Sequence, residues 1–413
     1  MENNTLFARF ISKLKVIGPG AIIAASFIGP GTVSTATEAG ASFGYALLWA
    51  VLFSIVTTMI LQGMASKIGI VTGSGLGEAI RDQFKRPVLK YITVTVVGVS
   101  IATGCAAYMA GDLTGGALGL TLITGIPQNY IAPVLGTIIL VLGLMGTYKV
   151  FEKILIVLVG IMSITFITTM VVVQPDVLAI FEGAFTPSIP SGSIVIIVAL
   201  IGTTVVPYNL FLHASSAHER WNSPADLKKS RLDILITIGI GGLITAAVLI
   251  TSAAVMRGTD VTGIEQLAVA LEPTLGEWAT VFISIGLLAA GFSSALAASM
   301  GAAYTIGGVA NWGTGFDNPR FKMVFIIVIS IGVITSATGF EPLELILFAQ
   351  ALNGLILPII AIFLLIVVNN KNLLGQYVNS IKLNIIGGLI VLIVSALGIY
   401  SLVEAILDFI TEV

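Results

Sequence analysis

The sequence predicts an all-α polytopic membrane protein of eleven transmembrane helices, built as a 5+5 inverted repeat plus one, with helices 1 and 6 broken. Three observations carry this. Hydrophobic residues fill 56% of the 413 positions and charged residues only 10%, with a mean hydropathy of +1.05, far from the composition of a soluble globular domain. All but one of the 19 basic residues fall on alternate loops. Two of the apolar runs, at matching places in the two halves of the chain, are interrupted by a proline.

Stretches of about 20 apolar residues place the spans near residues 16–41, 46–66, 91–120, 130–148, 154–173, 192–217, 232–256, 278–309, 323–339, 343–368 and 383–407. Arg9, Lys13 and Lys15 precede the first; Lys67, Arg81, Lys85, Arg86 and Lys90 lie between the second and third. Lys149 and Lys153 join the fourth and fifth, and Arg220, Lys228, Lys229 and Arg231 follow the sixth. Arg320 and Lys322 precede the ninth, Lys371 and Lys382 the eleventh, and only Arg257 falls on the other side. By the positive-inside rule these loops and the N-terminus are cytoplasmic, and the C-terminus is extracytoplasmic. A wrong span count would have scrambled the alternation.

Spans 1 and 6 therefore start on opposite sides of the membrane. They head two inverted units, residues 16–173 and 192–368, within a single transmembrane domain, and 383–407 is an additional helix. The breaks are Ile28-Gly29-Pro30-Gly31-Thr32 and Val205-Val206-Pro207-Tyr208-Asn209. Proline has no amide proton and clashes with the preceding turn, so each run splits into two half-helices. Irregular backbone at membrane depth is tolerated only where it is buried in protein or lines a cavity. Paired breaks of this kind mark the substrate site of secondary transporters that rock one bundle against another.

Other chemistries find little support. The net charge of −2 and the lack of a basic tail give no footprint for nucleic acid. The single cysteine, Cys105, excludes an internal disulfide framework and a cysteine-based zinc site. The polar, basic stretch Met1 to Lys15 leads into a full-length apolar run with no clear cleavage site, which reads as an uncleaved first span in an inner (cell) membrane. Thr72-Gly73-Ser74-Gly75-Leu76-Gly77 lacks a preceding strand and a Gly-Lys-Ser/Thr ending, and reads as a turn rather than a phosphate loop. No nucleophile elbow or zinc-hydrolase motif is present, so an enzyme is not expected.

Several segments resemble the Nramp family of proton-coupled divalent-metal transporters, within the class that shares the LeuT-like fold. They are Gly18-Pro19-Gly20; Ala39 to Tyr45 leading into Leu47-Leu48-Trp49; Ile70-Val71-Thr72-Gly73; Pro207-Tyr208-Asn209-Leu210-Phe211-Leu212-His213; and Gln350 and Pro358. The resemblance implies a LeuT-like fold and transport of a small ion. It also brings out departures. The family's helix 1 motif Asp-Pro-Gly-Asn supplies two metal ligands, and those places are Gly29 and Thr32 here. The soft helix 6 methionine is Val206, and the histidine after the proline is Tyr208. Asp112 keeps a helix 3 carboxylate linked to the proton route, whereas the acidic position three residues on is Gly115.

A divalent ion needs anionic or several oxygen ligands, and soft metals favour sulfur or imidazole. With neither at the expected positions, the sequence favours a small anion as substrate, with bicarbonate fitting best. Its site would comprise Gly29, Gly31, Thr32, Thr35, Thr203, Thr204, Val206 and Tyr208, which offer half-helix amides and hydroxyls. The alternative is a divalent-metal (manganese or magnesium) transporter with an atypical ligand set, in which Asp112 is the one strong candidate carboxylate. An anion entering against a negative-inside potential calls for a co-transported cation. Ser293 and Ser294 with the carbonyls of Ala25 and Ile28 resemble the sodium position of LeuT-like transporters, and Asp112 with His213 is the proton alternative. Glu38, near the outer end of helix 1, is expected to line a vestibule or cap a helix. No cofactor is expected beyond a possible bound sodium ion, the partners are the small ion and the bilayer, and the chain is expected to work as a monomer.

Overall fold

A computed structural model describes residues 18–145, 148–259, 261, 263, 265–338 and 340–412; the basic segment ahead of residue 18 lies outside the described residues. Among the described residues the regular structure is helical throughout. Ten helices among the described residues are long and apolar enough to cross a membrane. The first of them, Pro30–Thr72, runs together the second half of span 1 and all of span 2. Once these are separated, and α1 is counted with its other half, the eleven expected spans are present.

Span 1 is α1 (Pro19–Phe27) and α2 (Pro30–Phe43), and a 3-10 turn at Gly44–Leu47 leads into span 2, α3 (Leu48–Thr72). After the short α4 (Leu76–Gln83) come α5 (Pro87–Thr124), α6 (Gln128–Met145) and α7 (Tyr148–Val172), which are spans 3, 4 and 5. The surface helix α8 (Val177–Phe185), capped by the Asp176 side chain on two amides, links the halves. Span 6 is α9 (Ile194–Thr204) and α10 (Pro207–Arg220), and span 7 is α11 (Leu227–Val255). After α12 (Glu265–Leu275) come α13 (Trp278–Val309), α14 (Pro319–Ala337) and α15 (Pro342–Val368), spans 8 to 10. The one-turn α16 (Lys371–Leu374) precedes span 11, α17 (Ile381–Glu412). The helices α4, α8 and α12 are too short to cross a membrane.

The centre of the molecule is made of the broken helices and the pair α5 and α13, which hold equivalent places in the two halves. Lipid tails are as apolar as leucine, so close backbone approach, rather than apolar burial, draws such helices together. Glycine supplies that approach. A Cβ on Gly291 of α13 would lie 2.5 Å from the Asp112 carbonyl oxygen and 2.6 Å from Gly116 Cα on α5. Further along the same contact, a Cβ on Gly119 would lie 2.6 Å from the Ser284 carbonyl oxygen.

The Thr72–Gly77 stretch is the expected turn: Gly73 ends α3 with φ of 66°, and Gly75 is the N-cap of α4. From there α4 packs on the end of α13, where Arg81 Nη1 donates to the Gly308 carbonyl (3.1 Å) and to Asn311 Oδ1 (2.6 Å). Glu78 is folded in at the same place, and its Oε2 has no hydrogen-bond partner among the described residues. Burial pushes the Glu78 carboxyl above its ordinary value, against the smaller opposing pulls of its own backbone amide, Arg81 and His218. The folded chain thus holds this proton more tightly than the unfolded chain does, and stability present at low pH is lost as pH rises through the folded value. Glu78→Gln is expected to raise the melting temperature more at pH 8 than at pH 5, a pH-dependent gain that a melting series across that range checks.

Candidate functional site

Both breaks fall where the prolines place them. In span 1, α1 stops at Phe27, the Ile28 amide still reaches back to the Ala24 carbonyl (3.2 Å), and Gly29 is extended (φ −98°, ψ 178°) before Pro30 opens α2. In span 6, the Val205 amide closes α9 on the Ile201 carbonyl (2.8 Å), Val206 is extended, and Pro207 opens α10. An interrupted helix strands backbone carbonyls on one side of the break and amides on the other. What those groups meet decides what the site can hold.

Hydroxyls take several of the stranded carbonyls. Thr32 Oγ1 donates to the Phe27 carbonyl and lies 2.7 Å from Thr203 Oγ1, which ties α2 to the end of α9. Ser293 Oγ donates to the Ala25 carbonyl (2.9 Å). Thr204 Oγ1 bonds back to Leu200 within its own helix (3.0 Å), and the Thr204 carbonyl accepts from Thr58 (3.2 Å). The amide side is largely closed by the chain itself. Pro30 and Pro207 have no amide proton, the Thr32 and Val33 amides both turn to the Gly29 carbonyl, and the Asn209 amide turns to Val206.

The decisive feature is Asp112. Its carboxylate, only 2% exposed, projects from α5 onto the span 1 break: a Cβ on Gly29 would lie 3.0 Å from Asp112 Oδ1 and 2.9 Å from Ser294 Oγ. Neither Asp112 Oδ2 nor Ser294 Oγ has a partner in hydrogen-bonding geometry among the described residues, and neither does Thr35 Oγ1. An unpaired buried carboxylate is costly, and buried oxygens of this kind are groups that a polar or cationic ligand could satisfy. Gly115 makes the arrangement possible, because a Cβ there would overlap the Pro30 ring and hold α5 off the break.

The remaining expected residues divide. Tyr208 meets Tyr108 edge to face (centroids 5.7 Å apart) and packs its ring on Gly301. Ser26 Oγ lies 2.6 Å from Asn209 Oδ1 and 3.1 Å from Tyr208 Oη; its single proton goes to the amide oxygen, which makes Tyr208 the donor of the second bond. Gly31 admits the Gln350 side-chain amide against the backbone, and Val206 is buried at the start of α10. His213 stands apart: its Nδ1 pairs with Gln62 of α3 (3.1 Å), its Nε2 has no partner among the described residues, and no hydrogen bond links it to Asp112. Glu38 is half-buried within α2. Three residues around the break went unassigned in the sequence: Ser26, Tyr108, which donates to Gln350 Oε1, and Asn353, whose Nδ2 lacks a partner among the described residues. Spacing carried a signal for two of them, since Tyr108 is one helical turn before Asp112 and Asn353 one turn after Gln350.

The family model described as Natural resistance-associated macrophage protein-like (Nramp) matches residues 20–404. The chain belongs to this family. It is 31% identical over 412 residues to the divalent metal cation transporter MntH of Erwinia tasmaniensis, covering 96% of each chain. It is 29% identical over 406 residues to the MntH of Yersinia pestis, covering 95% of each. In fold it resembles the manganese transporter of Eremococcus coleocola, with a TM-score of 0.81 at 23% identity over 99% of this chain and 90% of that one. A nucleobase-cation-symport-1 family transporter in a closed conformation matches at a TM-score of 0.61 and 17% identity, over 93% of this chain and 90% of that one. These likenesses bear out the LeuT-like architecture of a membrane transporter, a protein that is not an enzyme and needs no cofactor.

They also overturn the expectation of a small anion, bicarbonate above all, because relatives matched along nearly the whole chain are named for divalent metal cations. The physical reason lies in the geometry. That expectation weighed the amide ends of the half-helices, yet those amides are mostly absent or already bonded, and the side chain that stands beside Gly29 is an acid. The case for sodium weakens with it. Ser293 Oγ lies within hydrogen-bonding distance of two carbonyls, Ala25 (2.9 Å) and Ala290 (3.1 Å). A coupling cation was required only to bring an anion inward against the membrane potential. His213, expected beside Asp112 in a proton pair, is bonded to Gln62 instead.

Proposed function

We propose that this Nramp-family chain is a secondary transporter of a hard divalent cation, magnesium or manganese, which it binds at the span 1 break with Asp112 as the charged ligand. The observation that carries the reading is the place of that carboxylate. The charge missing from position 29 of the chain is returned in space by Asp112, which closes on the spot where a side chain at 29 would begin. The other groups at the break, Thr32, Thr35, Thr203 and Ser294 with the carbonyls of Phe27 and Ile28, are all oxygen donors, and the C-terminal ends of α1 and α9 add their negative dipole ends.

The donor set also speaks to which ion. No group of three or more His, Cys, Asp or Glu side chains able to hold a metal occurs among the described residues. One carboxylate amid hydroxyls cannot strip a divalent ion of its water shell, but it suits an ion that keeps several waters, as magnesium does. With Val206 where the family's methionine ligand falls, no thioether is offered to soft metals. A divalent cation moving inward gains roughly 4.6 kcal/mol per 100 mV of negative-inside potential, so accumulation needs no sodium. Metal and proton compete for the one carboxylate, which provides a route to proton coupling. In the proposed orientation the N-terminus is cytoplasmic and the C-terminus extracytoplasmic in the cell membrane, with two inverted five-helix units in one domain acting as a monomer; the alternation of basic loops supports the orientation.

The test is uptake of magnesium and manganese into proteoliposomes under an imposed negative-inside potential. Saturable, potential-driven uptake of either ion supports the reading, and absence of uptake for both from folded protein sinks it. The selectivity argument has its own check. Val206→Met adds a soft ligand at the start of α10 and is expected to raise cadmium transport relative to magnesium by about tenfold, which competition between the two ions in the same vesicles measures.

A further inference from the structure

At the ends of α3, α11 and α17, away from the transport site, lies a cavity of about 410 Å³ lined by Lys67, Arg231 and Lys382, by Ser230 and Ser380, and on its inner side by the apolar residues of α3 and α17, including Met64 and Ile386. Three cations converge with no acid among the lining residues. Arg231 and Lys382 make no ion pair or side-chain hydrogen bond among the described residues. The nearest acids in sequence are turned elsewhere: Asp226 pairs with Lys229 (2.7 Å), and Asp233 accepts the amides of Gly18 (3.0 Å) and Gly20 (2.7 Å).

The cavity is a formed one. Lys67, only 9% exposed, is held by Asn379 Oδ1 on the segment that leads into α17, and its ammonium group retains further donors. Behind it, Ser66 and Ser230 share a hydrogen bond (2.5 Å) that locks α3 to the start of α11. A buried ammonium flanked by two unpaired cations is unfavourable by itself and becomes favourable when an anion enters. On one side the site opens on apolar surface, with Leu383 half-buried and Ile386 42% exposed. All three cations stand at helix ends that the charge alternation assigns to the cytoplasmic face, where the bilayer carries its anionic lipids.

We propose that this cavity binds the phosphate headgroup of an anionic phospholipid, with Lys67, Arg231 and Lys382 around the phosphate and the acyl chains along the apolar surface of α3 and α17. Apolar surface continuous with a cluster of cations fits a lipid better than a free oxyanion, which would use the charges alone. Lipid held there bridges the two inverted units to the eleventh helix.

The proposal is tested by melting the full-length protein in detergent while titrating phosphatidylglycerol, phosphatidylcholine with the same acyl chains, or inorganic phosphate. Phosphatidylglycerol is expected to raise the melting temperature saturably, and phosphatidylcholine and phosphate are not. Removing both exposed cations, with Arg231→Ala and Lys382→Ala, is expected to raise the half-saturating lipid concentration about tenfold or more, whereas removing two cations elsewhere, with Arg320→Ala and Lys322→Ala, leaves it unchanged. Lys382→Gln alone, a substitution at an exposed position, gives a smaller shift in the same direction and serves should the double variant fail to fold. An equal response to phosphatidylcholine, an equal response to phosphate, or undiminished affinity for phosphatidylglycerol in the cavity variants overturns the proposal.

Discussion

Asp112→Asn is expected to cut divalent-cation uptake by reconstituted protein by about a hundredfold or more while leaving the fold at least as stable as before. The substitution keeps the shape of the side chain beside Gly29 and Ser294 and removes only its charge. Two unit charges 4 Å apart at an effective dielectric of 20 attract by about 4 kcal/mol and a doubly charged ion by about twice that, so a third of this attraction is enough for roughly a hundredfold loss of uptake. Stability moves the other way. A buried carboxylate with an unpartnered oxygen is a cost to the folded state, which a neutral amide relieves. The two readouts together separate a ligand from a structural aspartate. Loss of uptake with an unchanged or higher melting temperature supports the ligand role, and uptake that survives the change removes the central support for the proposed function.

The second large effect is structural. Gly291→Val is expected to destabilise the folded protein by about 1–3 kcal/mol or more, the cost of forcing volume into a packed interior. The reason is local: a Cβ at 291 would meet backbone on α5, the Asp112 carbonyl at 2.5 Å and the Gly116 amide nitrogen at 2.7 Å, and neither can swing away as a side-chain tip could. If α13 moves off α5 to relieve this, Ser294 and Asp112 separate at the break and transport falls with stability. The comparison is Gly388→Val on α17, where a Cβ has no heavy atom within 4 Å, and a small effect is expected. Thermal melting of both variants in detergent makes the comparison, and equal melting temperatures would show that the α5–α13 contact tolerates separation.

Much of this molecule is legible in the order of its residues. Composition and span length require membrane helices, the alternation of basic loops gives their number, and Pro30 and Pro207 locate both breaks to the residue, because these are properties of local sequence acting on every chain alike. Gly29 and Thr32 are singled out by position within a break, Asp112 by charge within a span, and Ser294 by its resemblance to the sodium position of LeuT-like transporters. The sequence also puts Asp112 forward as the one carboxylate able to replace a lost ligand, yet it weights that possibility below an anion site.

Only the tertiary structure could reverse the weighting. Asp112 and Gly29 are far apart in the chain, and whether a carboxylate fills the place of a missing side chain depends on how closely α5 approaches α2, which Gly115 against Pro30 decides, while Gly116 and Gly291 set how closely α5 approaches α13. The same holds for the donors. That Thr32 and Ser293 meet the carbonyls of Phe27 and Ala25, and that His213 turns to Gln62, are facts about neighbours brought together by folding. Residue types and their order specify which helices form and where they break. The sign of the charge a site prefers is a sum over groups distant in sequence, and it exists only once packing has set their distances.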